Sequence, residues 1–151
     1  MTQEPTLERV VEKLAAGPSL LEMMGLERGD LDAFAIIARK DFLAGKDEDA
    51  VSKFARLVMA DPTNADYQLG LAETALATGR AETAMQSAAL VIAERPTSPV
   101  GYFLSGRAAM LMGEVEFALE DLGDAIKFAE ASGDAAILAS ARQYFSLVKR
   151  D

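Results

Sequence analysis

Apolar side chains recur along the chain at helical spacing, in segments of about 14 residues that short polar turns separate. From residue 31 onward this pattern predicts three helix pairs and one last helix. The predicted ranges are 31–44 with 47–60, 65–78 with 81–94, 99–112 with 115–130, and then 134–149. No segment alternates apolar and polar residues as a half-buried strand would, so the pattern predicts an all-α chain.

The predicted turns within the pairs share a motif that repeats every 34 residues. It reads G-x-x-E-x-A and begins at Gly45, Gly79 and Gly113, while Pro62 and Pro96 show the same spacing. Glycine ends a helix easily because it tolerates a positive φ, small alanines let two helices approach closely, and proline stops the second helix. A 34-residue period with this placement resembles the tetratricopeptide repeat.

The resemblance implies a tetratricopeptide-repeat solenoid of three helix pairs, because one pair alone cannot bury its apolar face. The expected repeats are residues 31–64, 65–98 and 99–132, and residues 133–151 are expected to form a C-terminal capping helix. Residues 1–30 are predicted to form an N-terminal amphipathic helical region. Its apolar face is a candidate dimerisation surface, with packing on the chain's own solenoid as the alternative, and comprises Leu7, Val10, Val11 and Leu14.

Composition and charge exclude several classes of function. The chain has no Cys and no His, and its 24 acidic residues outnumber 15 basic ones, for a net charge of −9. Thiolate and imidazole chemistry are therefore excluded, and nucleic-acid binding is not expected because phosphate contacts need clustered Lys and Arg. No apolar run is long enough to predict a membrane span, and the first residues do not resemble a signal peptide. We expect a cytoplasmic protein that is not an enzyme.

Three carboxylates could in principle hold a divalent cation. Glu116, Glu120 and Asp124 lie four residues apart on one predicted helix. A solvated helix face is the preferred interpretation, so neither a metal site nor a cofactor is predicted.

The candidate binding surface is the concave side of the solenoid, which the first helix of each pair is expected to line. Inward positions recur with the repeat, beginning at Asp32. The predicted peptide-binding residues are Ala35, Arg39, Phe42, Asp66, Leu69, Glu73, Leu76, Val100, Phe103, Arg107 and Met110. The apolar members could take alternate side chains of an extended peptide, and the two arginines could hold its carbonyls or a carboxylate. Ordinary core packing is the alternative for each apolar member.

Three stretches carry a closer resemblance. They are the segment that begins at Gly17-Pro18-Ser19-Leu20, the run from Phe54 to Leu71, and Ser98-Pro99 followed by Phe103. The run reads F-x-x-L-x-x-x-D-x-x-x-x-x-Y-x-x-G-L. In these stretches the chain resembles the class II chaperones of bacterial type III secretion, which serve hydrophobic translocator proteins.

That resemblance implies a chaperone of the bacterial cytoplasm that holds an extended translocator segment in its groove and keeps the translocator soluble before export. It also implies a homodimer in the absence of cargo, formed through the N-terminal region, and some family members assist a transcription activator. The family tends to have aromatic residues where Ala35 and Arg39 stand, which implies a differently shaped cargo anchor. A general tetratricopeptide-repeat adaptor for protein–protein assembly is the alternative. An adaptor that clamps a C-terminal carboxylate is disfavoured, because the Lys and Asn that it needs at inner positions are absent.

Overall fold

Seven α-helices make up residues 25–150, the part of the chain that the computed structural model describes. They are α1 (Arg28–Leu43), α2 (Asp47–Ala60), α3 (Ala65–Ala77), α4 (Ala81–Glu94), α5 (Pro99–Met112), α6 (Val115–Ser132) and α7 (Ala135–Val148). Each helix packs on the helices before and after it in the chain. The predicted all-α fold of stacked helix pairs is confirmed. The predicted apolar face of Leu7, Val10, Val11 and Leu14 lies outside the described residues.

The helix bounds follow the repeat pattern closely, with one clear difference at the start of α1. The helix begins at Arg28 rather than at residue 31. The backbone N–H of Glu27 donates to the Asp30 carboxylate at 2.9 Å, and the N–H of Asp30 donates to the Glu27 carbonyl at 3.0 Å. These bonds satisfy backbone groups that a helix start otherwise leaves unpaired, so the helix extends towards the N-terminus.

Glycine and alanine have the roles that the repeat motif predicts. Gly45, Gly79 and Gly113 adopt φ values of 73°, 74° and 75°, which are left-handed conformations that suit glycine. Ala50 and Ala84 are completely buried between the paired helices. Two further glycines allow close approach. A Cβ on Gly70 would lie 2.1 Å from Cε1 of Phe54, and one on Gly106 would lie 2.7 Å from Cγ of Leu122.

The helices form two layers, and this arrangement positions the site. In one layer α1 contacts α3, α3 contacts α5, and α5 contacts α7. The even-numbered helices α2, α4 and α6 pack on their sequence neighbours and make no comparable contact with one another. The array therefore curves, with the odd-numbered helices on its concave side. We call the surface that α1, α3, α5 and α7 present on this side the inner surface.

Candidate functional site

The predicted groove residues lie on α1, α3 and α5, and most of them are only half-buried. Nine share this intermediate exposure: Ala35, Arg39, Phe42, Leu69, Glu73, Val100, Phe103, Arg107 and Met110. Leu76 is only 7% exposed and belongs to the core beneath the surface, whereas Asp66 is exposed at its margin. The structure thus places a partly accessible mixture of apolar and charged groups where the sequence predicts a groove. Their binding role stays a prediction.

Arg39 is held at the first part of this surface by a charged partner and by two rings. Its Nη1 donates to the Glu73 carboxylate at 2.5 Å, which ties α1 to α3. Its guanidinium also lies 5.9 Å from the ring centroid of Phe42 and 5.4 Å from that of Phe54. A guanidinium over an aromatic face is attracted by the negative charge density of the ring. The charge of Arg39 is therefore balanced by Glu73, and its position is fixed by contacts within the chain.

Arg107 occupies the equivalent place on α5, and its side-chain partners within residues 25–150 are aromatic rings. Its guanidinium lies 5.6 Å from the centroid of Phe103 and 5.1 Å from that of Tyr144. The two rings are 5.8 Å apart with their planes at 59°. Within residues 25–150 no carboxylate lies within ion-pair distance of Arg107.

The acidic residues at the margin have partners in the chain. The Tyr67 hydroxyl donates to Asp32 at 2.7 Å, and Arg95 donates to Asp66 at 2.7 Å. Burial, followed by the bond to Asp32, raises the pKa of the Tyr67 hydroxyl far above its ordinary value of 10.0, so it stays protonated as a donor. These contacts join α1 to α3 and α3 to the end of α4. They fix the edge of the inner surface.

Tyr144 is a site residue that the sequence reasoning missed, because α7 was expected only to cap the array. It follows Met110 by the same 34 residues that separate Phe42, Leu76 and Met110. Extending the repeat by one more step was the available signal. The helix α7 therefore does more than cover the core, since it brings an aromatic ring to the inner surface beside Phe103 and Arg107.

The acidic face of α6 does not bring its carboxylates together. Across residues 25–150 no three acidic side chains are grouped in a way that could hold a metal ion, and this includes Glu116, Glu120 and Asp124. The nearby Asp121 accepts a hydrogen bond from Ser105 at 2.5 Å. Burial raises its pKa above the ordinary 3.8, although the bond from Ser105 acts in the opposite direction. This carboxylate links α5 to α6.

The turn between α5 and α6 exposes more large apolar side chains than the equivalent turn between α3 and α4. Its exposed large apolar residues are Leu111, Met112, Val115 and Phe117, and they stand beside the exposed Glu114 and Glu116. The equivalent positions of the α3–α4 turn are smaller or more polar, namely Ala77, Thr78, Ala81 and Thr83. A small cleft of about 90 Å³ lies at this turn between Met110, Val115 and Val148.

None of the described helices is both long and apolar enough to span a bilayer.

The chain is similar to known proteins in sequence and in architecture. The family described as "Tetratricopeptide repeat" matches residues 41–105, and no curated protein sequence matches the chain. A type III secretion complex from Aeromonas hydrophila superposes with a TM-score of 0.82 at 23% identity, over 95% of this chain and 96% of that chain. PcrH of Pseudomonas aeruginosa, bound to the chaperone-binding region of PopD, gives a TM-score of 0.76 at 26% identity, over 83% and 96% of the two chains.

The chain has the tetratricopeptide-repeat fold and is similar to PcrH over most of both chains. The predicted resemblance to the class II translocator chaperones is confirmed. SycD, the type III secretion translocator chaperone of Yersinia enterocolitica, has the same fold, with a TM-score of 0.74 at 21% identity over 88% of this chain and 93% of that chain. The binding role of the inner surface described above stays a prediction.

Proposed function

We propose that this protein is a cytoplasmic chaperone that binds an extended segment of a hydrophobic type III secretion translocator on its inner surface and keeps that translocator soluble before export. The observation that carries this proposal is the similarity to PcrH, which has been solved in complexes with the chaperone-binding regions of PopD and PopB. The match to the PopD complex covers most of both chains at 26% identity.

The physical character of the inner surface supports the proposal. Phe42, Leu69, Phe103 and Met110 are half-buried, so each already has a fixed position and still offers apolar area to a ligand. Each apolar ligand side chain that becomes buried there contributes about 1.5–3 kcal/mol before ordering costs are subtracted. Several such contacts are enough for stoichiometric holding, which needs neither a nucleotide nor a cofactor.

The apolar α5–α6 turn offers a second contact for cargo. Large side chains such as Leu111 and Phe117 are 60% and 59% exposed, which is unusual for neighbouring positions on a protein of net charge −9. We infer that this turn shelters apolar parts of the translocator outside the anchored segment. The acidic exterior keeps the loaded complex in solution through its net charge.

We also propose that the cargo-free protein is a homodimer that forms through residues 1–30. The support is the family resemblance, within which SycD of Yersinia enterocolitica has been solved as a dimer. Sedimentation of the cargo-free chain should give twice the monomer mass. A change of Leu7 and Val11 to Asp should shift it to the monomer, whereas a monomeric wild-type chain would contradict the proposal.

Co-expression with the translocator of the same bacterium tests the chaperone function. The wild-type chain should keep the translocator in the soluble fraction, and the Phe42→Ala variant should weaken binding about tenfold because it removes apolar contact area. Phe128→Ala is the matched control, because it removes one half-buried phenyl ring from α6, away from the inner surface and outside both core clusters. Phe42 belongs to neither buried core cluster, so its removal should leave the fold intact, which circular dichroism verifies.

Two results would contradict the proposal. If the translocator stays insoluble with the wild-type chain, and only folded soluble proteins co-purify, the protein is a general adaptor. If Phe42→Ala and a Phe42→Ala, Phe103→Ala double variant both bind the translocator normally, the inner surface is not the binding site.

A further inference from the structure

One column of the inner surface carries alternating charge. Arg39, Glu73 and Arg107 occupy the same position of α1, α3 and α5, at intervals of 34 residues. The single carboxylate of the column lies 2.5 Å from Arg39, so it serves that arginine. The column as a whole keeps one uncompensated positive charge, and this charge sits on Arg107 in a protein whose net charge is −9.

The surroundings of Arg107 hold its guanidinium in place without saturating it. The rings of Phe103 and Tyr144 lie within 5.6 Å and 5.1 Å of its central carbon. Aromatic faces attract the cation but supply no oxygen acceptors for its five N–H groups. Arg107 also takes part in none of the side-chain ion pairs between residues 25 and 150, and its side chain is only half-buried. A ligand can therefore reach these donors.

We propose that Arg107 determines specificity by recognising an Asp or Glu side chain of the bound cargo segment, next to an apolar side chain that packs on Phe103 and Tyr144. This inference rests on the proposed function and adds the chemistry of the recognised segment. A carboxylate matches the planar fork of a guanidinium with two parallel hydrogen bonds, which a single backbone carbonyl does not.

The charge of the rest of the protein makes this recognition selective. An acidic ligand residue placed near the exposed Asp32, whose partner is the uncharged Tyr67 hydroxyl, would meet like charge, whereas the same residue at Arg107 would complete the alternating column. The acidic residue of the cargo therefore sets the register in which the segment lies across α1, α3, α5 and α7. Attraction at one place and repulsion elsewhere together exclude wrong registers.

This inference can be tested without the natural cargo. A phage library of random 12-residue peptides is selected for binding to the full 151-residue chain. Wild-type protein should enrich peptides with Asp or Glu at a fixed distance from a large apolar residue. Arg107→Gln should lose the acidic preference and bind the selected peptides about tenfold or more weakly, as expected for a charge-assisted hydrogen bond. Arg56→Gln should bind them like wild type. It removes the same charge from an exposed position on α2 that makes no ion pair within the described residues.

A charge exchange separates recognition from a structural role. Arg107→Glu should bind the selected peptides poorly but regain affinity when the acidic peptide residue is replaced by Lys, and loss of structure cannot produce that rescue. If wild type and Arg107→Gln enrich the same apolar peptides without an acidic residue, the inference is wrong while the peptide groove stands. If wild type enriches no peptides at all, the proposed function fails together with the inference.

Discussion

The contact between α2 and α3 depends on the absence of a side chain at position 70. The Phe54 ring lies so close to Gly70 that a Cβ there would come within 2.1 Å of it. The ring is itself buried and lies beneath the guanidinium of Arg39, so it has little room to move. A single methyl group at this position therefore forces either the ring or the helix to shift.

We expect Gly70→Ala to lower the free energy of unfolding by about 1–3 kcal/mol, the usual cost of overpacking a core. Gly29→Ala is the matched control, because Gly29 is also helical and nothing lies within 4 Å of its would-be Cβ. Urea titrations of both variants provide the comparison. Equal stability of the two variants would show that the Phe54 ring can leave its position without cost.

The chemistry of the two inner-surface arginines shows how far single residues can be predicted. Sequence alone gives Arg39 and Arg107 the same role, because the 34-residue period puts both on the inner surface. Which of them keeps its donors available depends on the position of Glu73, which could neighbour either arginine in the register. Packing between the helices decides which arginine Glu73 pairs with, and the period of the sequence does not contain that information.

At the scale of helices, a capping side chain marks where the second pair begins. The Asn64 side chain accepts hydrogen bonds from the backbone N–H groups of Asp66 at 3.0 Å and Tyr67 at 3.2 Å. Ser98 holds the equivalent position before α5, and its side chain makes no such bond. Pro99 follows it as the first helical residue, and its missing N–H is one of those that a helix start leaves unpaired.

Asn64→Ala should therefore destabilise the protein by about 1 kcal/mol. Ser98→Ala, which removes a cap residue without a capping bond, should change the free energy of unfolding by less than about 0.5 kcal/mol. Thermal and urea unfolding of the two variants measure the difference. A larger loss for Ser98→Ala would mean that its hydroxyl acts in a way that the described contacts do not include.

The helices themselves are predictable because each boundary has a local cause in the sequence. The glycine turns and the prolines repeat at a fixed interval, so α2, α4 and α5 have the bounds that the pattern predicts. The start of α1 differs because its backbone–side-chain bonds at Glu27 and Asp30 do not belong to the repeat. The contribution of α7 to the inner surface is not predicted, because α7 is treated as a cap outside the repeat. Its residue Tyr144 in fact continues the 34-residue period.

At the scale of the whole molecule, stability should be highest in the middle of the array. The central helices α3 and α5 contain eight and seven buried residues, whereas α1 and α7 contain two each. In a solenoid each helix pair is stabilised by its immediate neighbours, and among the helices of residues 25–150 α1 and α7 have neighbours on one side only. Opening should therefore start at α1 or α7 and reach the centre last.

Hydrogen exchange read by mass spectrometry should show this gradient. Backbone amides of α3 and α5 should exchange slowest, and amides of α1 and α7 should exchange at least about tenfold faster, because they open with a smaller free-energy cost. Exchange at one common rate in all seven helices would instead mean that the array opens only as a single cooperative unit.

The layering of the odd-numbered helices has a mechanical consequence for anything laid across them. Within this layer each helix contacts only the odd-numbered helices beside it, so an extended segment lying over α1, α3, α5 and α7 would contact four separate sites in a row. Pulling on one end of such a segment would break its contacts at one helix at a time. The work of removing the segment is then divided among the four sites, and the largest force needed is the force that breaks the contacts at one site. A binding surface of this kind can lose its ligand slowly by spontaneous dissociation and still release it under a directional pull.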